Sequence, residues 1–293
     1  MSLLLTKRQY EVIDNTFNWL EKTESKASTL FRFNTNPALV GKESYTYSIT
    51  KSFAEGNGIL PRGSREVSVV NSHTEEITTK IVTLGRAFVI HREDFWANGS
   101  LDTIGVEIAR NQLDLDIDNI AFKGNGNKTF GILNIPNRQT YIAPNGAGGS
   151  PLWVNKTSNE ILADIRKMIS QANDKGRNRV TDLVVAPSIM TVLQTKTVGQ
   201  DQLSTLLSYL QGTMVLNVTE VEILEKSSSL GTGPAILFDR NKVDLIIPLL
   251  PFRDSNAQSF DEASNFNSTF FATCGGIKAI DPKCIIVSEN VGV

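Results

Sequence analysis

Three aspartates in the stretch LDLDIDN have the spacing of the first ligands in a calcium-binding loop. Such a loop carries ligands at its first, third and fifth positions, a glycine at the sixth and a bidentate glutamate at the twelfth. Asp114, Asp116 and Asp118 satisfy the first requirement. Asn119 and Asn125 stand where the glycine and the glutamate belong. The stretch therefore does not contain the residues that complete a calcium site.

A second stretch, GNGNKTFG at 124–131, contains the residue types of a phosphate-binding loop. That loop requires Gly-Lys-Ser/Thr without interruption, after a strand and before a helix. Here Asn127 separates Gly126 from Lys128, and the stretch follows a predicted helix. We interpret it as a tight turn that uses the backbone freedom of glycine.

The histidines and cysteines are too few and too scattered to indicate a catalytic or metal site. His73 and His91 are the only histidines, and the HRED stretch at His91 is a weak basis for a general base. Cys274 and Cys284 lack the close spacing of zinc ligands. The Gly-x-Ser-x-Gly elbow of many hydrolases does not occur in the sequence. We therefore predict no catalytic residue, no metal ion and no cofactor.

The composition narrows the class of protein. The 293 residues are 40% hydrophobic and 20% charged, as is typical of a globular protein. The net charge of -2 argues against a protein that grips nucleic acid, but it allows one that encloses nucleic acid. The stretch VDLIIPLLPF is interrupted by two prolines, and no apolar run approaches the roughly 18 residues that span a bilayer. The two cysteines provide no disulfide framework, which indicates a reducing compartment.

Two long, mostly polar strands are predicted after a short N-terminal helix at 10–20. Residues 42–54 alternate in polarity, and a second extended stretch runs from 67 to 90. The Gly- and Pro-rich segment EGNGILPRGSRE joins them into a hairpin. Such a hairpin has too little apolar surface to fold alone, so it needs a partner surface on its own domain or on another chain.

The stretch LDLDIDN alternates like a strand, but the longer window 101–122 fits a helix of about 33 Å. One apolar stripe begins at Val106, and a second stripe on the opposite side includes Ile108 and Phe122. The strand interpretation explains only LDLDIDN, whereas the helix interpretation explains the whole window and predicts contacts on two sides. What the three aspartates face stays open at this point.

The remainder of the chain mixes helices and strands without strict alternation, which predicts the α+β class. A helix begins at Thr157, with Glu160 completing a capping box. Further helices are predicted at 188–195 and 202–211. Strands are predicted in the segments DLVVAP, TMVLNVTEVEILEK, AILFDRN and KVDLIIPLL, and two or three more in NSTFFATCGGIKAIDPKCIIVSEN.

The order of these elements resembles the major capsid proteins of tailed phages, whose Hong Kong-type fold also occurs in encapsulin shells. The segment WVNKTSNEILADIRKMI, followed by DLVVAPSIMTVL, resembles the start of the axial domain in one subfamily. The segment FFATCGGIKAIDPKCIIV is similar to the closing strands of the family, with matches at Gly275, Gly276, Pro282 and Ile285. The end of the long helix and its turn resemble the family's spine helix, with matches at Phe122, Gly124, Gly131, Ile132, Leu133, Asn134 and Pro136.

The resemblance implies an α+β fold that is divided into four parts. Residues 1–41 would form an N-terminal arm over a neighbour, and residues 42–91 an extended hairpin loop that crosses an adjacent subunit. Residues 92–156 and 247–293 would form the peripheral domain with its spine helix, and residues 157–246 the axial domain around the five- and six-fold centres.

The resemblance also implies a function: a structural virion protein, not an enzyme, that self-assembles into an icosahedral shell around the phage genome. It would form pentamers and hexamers with itself and enclose double-stranded DNA without specific binding, with no membrane involved. Some family members carry an N-terminal scaffolding segment that this sequence does not display. Three alternatives stay open: scaffolding is a separate protein, the segment has been removed, or none is required. Portal or decoration proteins are further candidate partners. Assembly would occur in the host cytoplasm and the product would be the virion capsid.

Within the hairpin, Lys51, Arg62 and Arg65 are the candidate inter-subunit contacts, because basic side chains there would meet acidic groups on a neighbour. Two alternatives stay open. An encapsulin-like cellular compartment shares the fold and would offer an interior groove for a cargo peptide. A monomeric α+β enzyme or ligand-binding protein would need a cluster of polar residues that the sequence does not display.

Overall fold

The computed structural model describes residues 25–54, 70–90, 103–126, 128–173, 179–198, 204–225, 233–253, 259–260 and 266–292. The helix predicted at 10–20 lies outside these residues. The α-helices of the described chain are α1 Ala27–Leu30, α2 Thr103–Lys123, α3 Ser158–Ala172, α4 Pro187–Thr195, α5 Leu206–Gly212 and α6 Glu222–Glu225.

The strands are numbered in chain order. Those of the first half are β1 Arg32–Asn34, β2 Ser44–Ala54, β3 Val70–Lys80, β4 Val82–Ile90, β5 Gln139–Tyr141, β6 Asp182–Val185, β7 Thr197–Val198 and β8 Ser204–Thr205. Those that follow are β9 Asn217–Glu220, β10 Ala235–Phe238, β11 Val243–Ile246, β12 Leu249–Arg253, β13 Ser259–Phe260, β14 Phe266–Cys274, β15 Gly276–Ala279 and β16 Ile286–Ser288.

A five-stranded mixed sheet, in the order β5-β16-β10-β6-β9, lies within the larger hydrophobic core. Every residue of β6, β10 and β16 is buried. Strands that are covered on both faces have continuous apolar runs, which is why the segments DLVV and AILF do not alternate. Helix α3 packs on β10 and β16.

Strand β14 is the centre of a second sheet, with β4 along one side and with β12 and β13 along the other. Helix α2 lies across this sheet and contacts β4, β14 and β12. A third sheet, in the order β1-β11-β15, connects the start of the described chain to the body. Two further pairs, β2–β3 and β7–β8, each form a two-stranded sheet.

The LDLDIDN stretch lies inside α2, so the helix interpretation is confirmed and the strand interpretation is wrong. The first apolar stripe is buried, because Ala109, Leu113 and Ile117 are at most 6% exposed. On the opposite side Phe122 is 0% exposed, but Ile108 is 43% exposed. One side of the helix is therefore covered within the subunit, whereas the described residues leave Ile108 on the other side uncovered, so the predicted contact there stays a prediction.

Three predicted elements have different bounds in the structure. The extended stretch predicted at 67–90 divides at Ile81, because β3 pairs with β2 whereas β4 pairs with β14. The helix predicted at 202–211 begins at Leu206, because the hydroxyl of Thr205 caps it by accepting from Ser208 N. The segment TMVLNVTEVEILEK contains strand β9 and then helix α6, so its prediction as one strand is wrong.

The turn after α2 brings glycines into close contact with the backbone. Gly124 has φ +72° and Gly276 has φ +75°, a region that favours glycine. At Gly131 a Cβ would lie 2.7 Å from the carbonyl carbon of Phe122. Leu133 N donates to the Phe122 carbonyl at 3.0 Å, so the turn folds back on the end of the helix. The prediction of a tight turn is confirmed.

Candidate functional site: the two-stranded ribbon and its base

Strands β2 and β3 form a two-stranded ribbon. Their pairing is continuous from Ser44–Lys80 at the base to Ala54–Val70 at the far end. The 11 residues of β2 correspond to about 37 Å at 3.4 Å per residue. Within the described residues neither strand pairs with a third strand, so both edges of the ribbon are open.

One face of the ribbon is lined by hydroxyl groups. The hydroxyls of Thr46 and Thr78 are 2.9 Å apart across the strands, and those of Thr50 and Thr74 are 3.1 Å apart. All four side chains are exposed. Threonine pairs of this kind stabilise antiparallel strands. The exposed residues Glu76 and Lys80 share this face, so it is polar and accessible to another molecule.

The opposite face of the ribbon is apolar near the base and packs on the subunit. Tyr47, Ile49 and Ile77 are 6–9% exposed and form a small cluster with Phe130. Burial of one aliphatic side chain contributes about 1.5–3 kcal/mol, so this cluster holds the base of the ribbon on the body. Burial also raises the pKa of Tyr47 to about 12, because the phenolate would be desolvated.

Hydrogen bonds connect the base of the ribbon to the turn after α2. Lys80 N donates to the Lys128 carbonyl at 3.1 Å, and the Thr129 hydroxyl donates to the Lys80 carbonyl at 3.0 Å. The Thr79 hydroxyl is buried and donates to the Gly275 carbonyl at 2.8 Å. The body of the subunit therefore determines where the ribbon begins.

Asp118 binds the beginning of the described chain. Its carboxylate accepts hydrogen bonds from the Ser25 hydroxyl at 2.7 Å, from Lys26 N at 2.7 Å and from Ala27 N at 3.1 Å. Asp118 is 2% exposed, and burial raises the pKa of its carboxyl against the effect of the three donors. A carboxylate of α2 thus satisfies the backbone donors at the start of α1.

Asp116 faces β4, where Arg86 binds both of its oxygens at 2.6 and 2.7 Å. This bidentate pair connects α2 with β4. Both side chains are partly exposed, so the pair contributes only modest stability. Asp116 and Asp118 therefore bind groups of their own subunit.

The face of the β4–β14–β12 sheet opposite α2 carries exposed apolar side chains among threonines, and the described residues leave it uncovered. Because Arg86 points towards α2, Val89 points away from it, and Val89 is 45% exposed. Phe252 is 40% exposed, and its ring centroid is 6.3 Å from that of Phe271. The Phe271 ring lies over Gly85. Exposed apolar patches of this kind indicate an interaction surface.

A buried polar cluster fixes the entry to α3. Asp164 accepts hydrogen bonds from Lys156 Nζ at 2.6 Å, from the Tyr141 hydroxyl at 3.0 Å and from Trp153 Nε1 at 3.2 Å. Burial and the bond to Asp164 raise the pKa of Tyr141. The predicted capping box at Thr157 is confirmed. This cluster orders the start of the helix, and the sequence did not indicate it.

The structure describes the backbone position of only one of the three candidate contact residues. Lys51 lies in β2, opposite His73 in the pairing. Arg62 and Arg65 lie outside the described residues, as does His91. The proposed polar contacts of these basic residues therefore stay predictions.

The described residues contain no group of three His, Cys, Asp or Glu side chains that could hold a metal ion. No helix in the described ranges is long and apolar enough to cross a membrane. Cys274 and Cys284 are free and buried, which raises the pKa of each thiol to about 12. Thiols of this kind are not reactive nucleophiles.

The chain matches the family of major capsid proteins over residues 57–291, which is most of its 293 residues. The chain therefore belongs to the major capsid protein family. No curated protein matches this sequence.

Solved capsid structures share the fold. The capsid of Myoviridae phage XM1 has 12% identity and a TM-score of 0.74, covering 100% of this chain and 99% of that chain. The capsid of an empty GTA particle has 11% identity and a TM-score of 0.67, covering 94% and 92%. A virus-like particle from Pyrococcus furiosus has 12% identity and a TM-score of 0.57, covering 89% and 90%. The predicted Hong Kong-type α+β fold is confirmed.

Family membership defines the class of function. The protein is a structural component of the virion capsid, and copies of it assemble into the shell. This confirms the resemblance on which the sequence-based prediction of a capsid protein depended. The capsid function is favoured over an encapsulin-like compartment, because the matching family is that of the major capsid proteins.

Proposed function

We propose that the ribbon of β2 and β3 belongs to an extended loop, residues 42–91, that lies across an adjacent subunit of the shell. The main support is the asymmetry of the ribbon, whose base packs on the body while its hydroxyl-lined face is exposed. Its two open edges and its exposed face provide surface that a neighbour would bury. Burial of that surface would favour association of subunits.

The remaining parts of the chain take the roles that the family resemblance implies. Residues 1–41 are the N-terminal arm, and the contacts of Asp118 with Ser25–Ala27 support a fixed point for it on the subunit. Residues 92–156 and 247–293 form the peripheral domain, and residues 157–246 form the axial domain around the symmetry centres.

The shell is built from pentamers and hexamers of this chain. Head-to-tail contacts between identical subunits form a closed ring when the rotation from one subunit to the next adds up to a full turn. Each interface need only be modest, because every subunit makes several contacts at once. The net charge of -2 suits a shell that encloses double-stranded DNA without binding it tightly. Separate scaffolding, portal or decoration proteins join assembly in the host cytoplasm, and the role requires neither catalysis nor a cofactor.

Charge reversal in the loop tests its proposed contact with a neighbour. Arg62→Glu together with Arg65→Glu is expected to reduce the yield of shells at least about tenfold, because like charges across an interface oppose association. The variant subunit is expected to stay folded by circular dichroism. Sedimentation measures the fraction of the chain in particles.

A matched variant distinguishes the effect of where the charges are reversed from the effect of the change in net charge. Lys167→Glu together with Arg240→Glu changes the net charge equally at two exposed positions outside the loop. Its yield is expected to fall less than that of the loop variant. A normal yield of shells from the loop variant would remove Arg62 and Arg65 from the interface, and Lys51→Glu tests the third candidate in the same assay.

A further inference from the structure

Lys278 lies between the body of the subunit and the ribbon. It belongs to β15, and its ammonium nitrogen is 5.7 Å from the ring centroid of Tyr45 and 5.5 Å from that of Tyr47. The ammonium also donates to the Tyr45 hydroxyl at 3.3 Å. The two rings are stacked, with centroids 5.9 Å apart and an interplanar angle of 25°. One lysine of the body thus contacts two residues of β2.

The carboxylate opposite Lys278 is already occupied. Asp244 of β11 is the direct partner of Lys278 in the β11–β15 pairing. Arg32 of β1 binds both oxygens of Asp244, at 2.8 and 3.1 Å. This pairing raises the pKa of Arg32. The positive charge of the guanidinium also offsets part of the negative charge of the Asp244 carboxylate. Asp244 therefore competes less strongly for the Lys278 ammonium than an unpaired carboxylate would.

The three side chains form a row across three adjacent strands, because Arg32 pairs with Asp244 and Asp244 pairs with Lys278. We propose that Lys278 is a positioning residue that sets the direction of the ribbon, and that Arg32 keeps it on the tyrosines by occupying Asp244. This inference rests on the proposed function of the ribbon, since its direction matters only when the ribbon must reach a neighbouring subunit.

The apolar cluster at the base and Lys278 restrain the ribbon in different ways. Apolar burial is not directional, and the hydrogen bonds of Thr79 and Lys80 hold only the end of the ribbon, so these contacts permit a range of ribbon angles. A cation over an aromatic ring is directional, because it is attracted to the negative face of the ring. Lys278 therefore limits rotation of the ribbon about its base. No motif in the sequence marks this lysine.

Hydrogen exchange of the unassembled full-length chain tests the proposal. Lys278→Met keeps an unbranched chain of similar length but removes the charge. Exchange of the amides in residues 44–50 and 74–80 is expected to rise about five- to thirtyfold. Lys278→Arg keeps a cation over the rings and is expected to exchange like the wild type.

Two arginine variants test the role of the row. Arg32→Met is expected to raise exchange in the same segments by a smaller factor, because the released Asp244 attracts Lys278. Arg86→Met is the matched control, since it removes another bidentate pair, with Asp116, that does not belong to the row. Ribbon exchange in this control is expected to equal that of the wild type.

Amide exchange in the ribbon of Lys278→Met at the wild-type rate would overturn the proposal. Wild-type exchange in Arg32→Met would overturn the part assigned to Arg32. Loosened ribbons are expected to give shells of mixed size or low yield. Faster exchange with shells of normal size and yield would overturn the connection between ribbon direction and assembly. Failure of the wild-type chain to form shells would instead contradict the proposed function, whatever the exchange rates are.

Discussion

Replacing Asp164 with alanine is expected to lower the free energy of unfolding of the subunit by about 3–5 kcal/mol. The change leaves the Lys156 ammonium, on a side chain that is 1% exposed, without the carboxylate at 2.6 Å. It also removes the acceptor for the Tyr141 hydroxyl and the Trp153 indole. An unpaired buried charge costs more than a lost hydrogen bond. Urea unfolding of the unassembled subunit measures the loss.

Two further variants distinguish the destabilisation caused by the unpaired buried charge from that caused by the lost hydrogen bonds. Lys156→Met leaves Asp164 with two neutral donors and is expected to destabilise the subunit less than Asp164→Ala does. The double variant Lys156→Met/Asp164→Leu removes both charges and is expected to recover about half of the loss or more. A loss below about 1 kcal/mol for Asp164→Ala, the range of exposed pairs, would contradict a buried charge pair at this site.

Replacing Gly276 with alanine is expected to lower the free energy of unfolding by about 2–5 kcal/mol, from the left-handed backbone and from overpacking together. Gly276 has φ +75°, and a Cβ there would overlap the carbonyl oxygen of Phe130 and lie 3.0 Å from Thr129 Cγ2. The same carbonyl accepts from Ile277 N at 2.7 Å, so it cannot retreat without losing that bond. Phe130 belongs to the turn after α2, which is hydrogen-bonded to the base of the ribbon, so the yield of shells is expected to fall as well.

Gly149 provides the matched control for this substitution. It has φ +76°, but nothing lies within 4 Å of the Cβ that alanine would add. Gly149→Ala is therefore expected to cost only the backbone contribution, about 1–2 kcal/mol. Thermal unfolding compares the two variants. Equal losses would show that the close approach of Phe130 to Gly276 contributes nothing.

Periodic segments of the chain were predictable from the sequence. Helix α2 follows from its apolar repeat, and α3 follows from the capping box at Thr157 and Glu160. LDLDIDN is misleading on its own, because a short alternating stretch fits a strand as well as it fits one side of a helix. The longer window resolves it, since a strand pattern does not continue over the length of α2.

The contacts that position the site were not predictable, because their partners are far apart in the sequence. Asp118 and Ser25 are separated by 93 positions, and Lys278 and Tyr45 by 233. Periodicity indicates which face of an element is buried, but it does not indicate what covers that face. The same limit explains Ile108, whose stripe has the pattern of a buried face although the described subunit does not cover it.

The uncovered apolar surfaces of the subunit agree with a protein whose folding is completed by assembly. Val89 and Phe252 on the outer sheet face, and Ile108 on α2, are 40–45% exposed in one subunit. Val89 and Phe252 lie on one face of the sheet and Ile108 on the helix that covers the other face, so two separate surfaces leave apolar side chains in water. In a shell, neighbouring copies bury surfaces of this kind, and the resulting free energy drives assembly.

Electron microscopy of the purified full-length chain tests the central claim most directly. The account predicts closed shells of uniform size, because the chain belongs to the major capsid protein family and its ribbon is proposed to lie across a neighbouring subunit. Fields of particles with one diameter would agree with it. A chain that persists as a monomer of 32.2 kDa under all assembly conditions would contradict it.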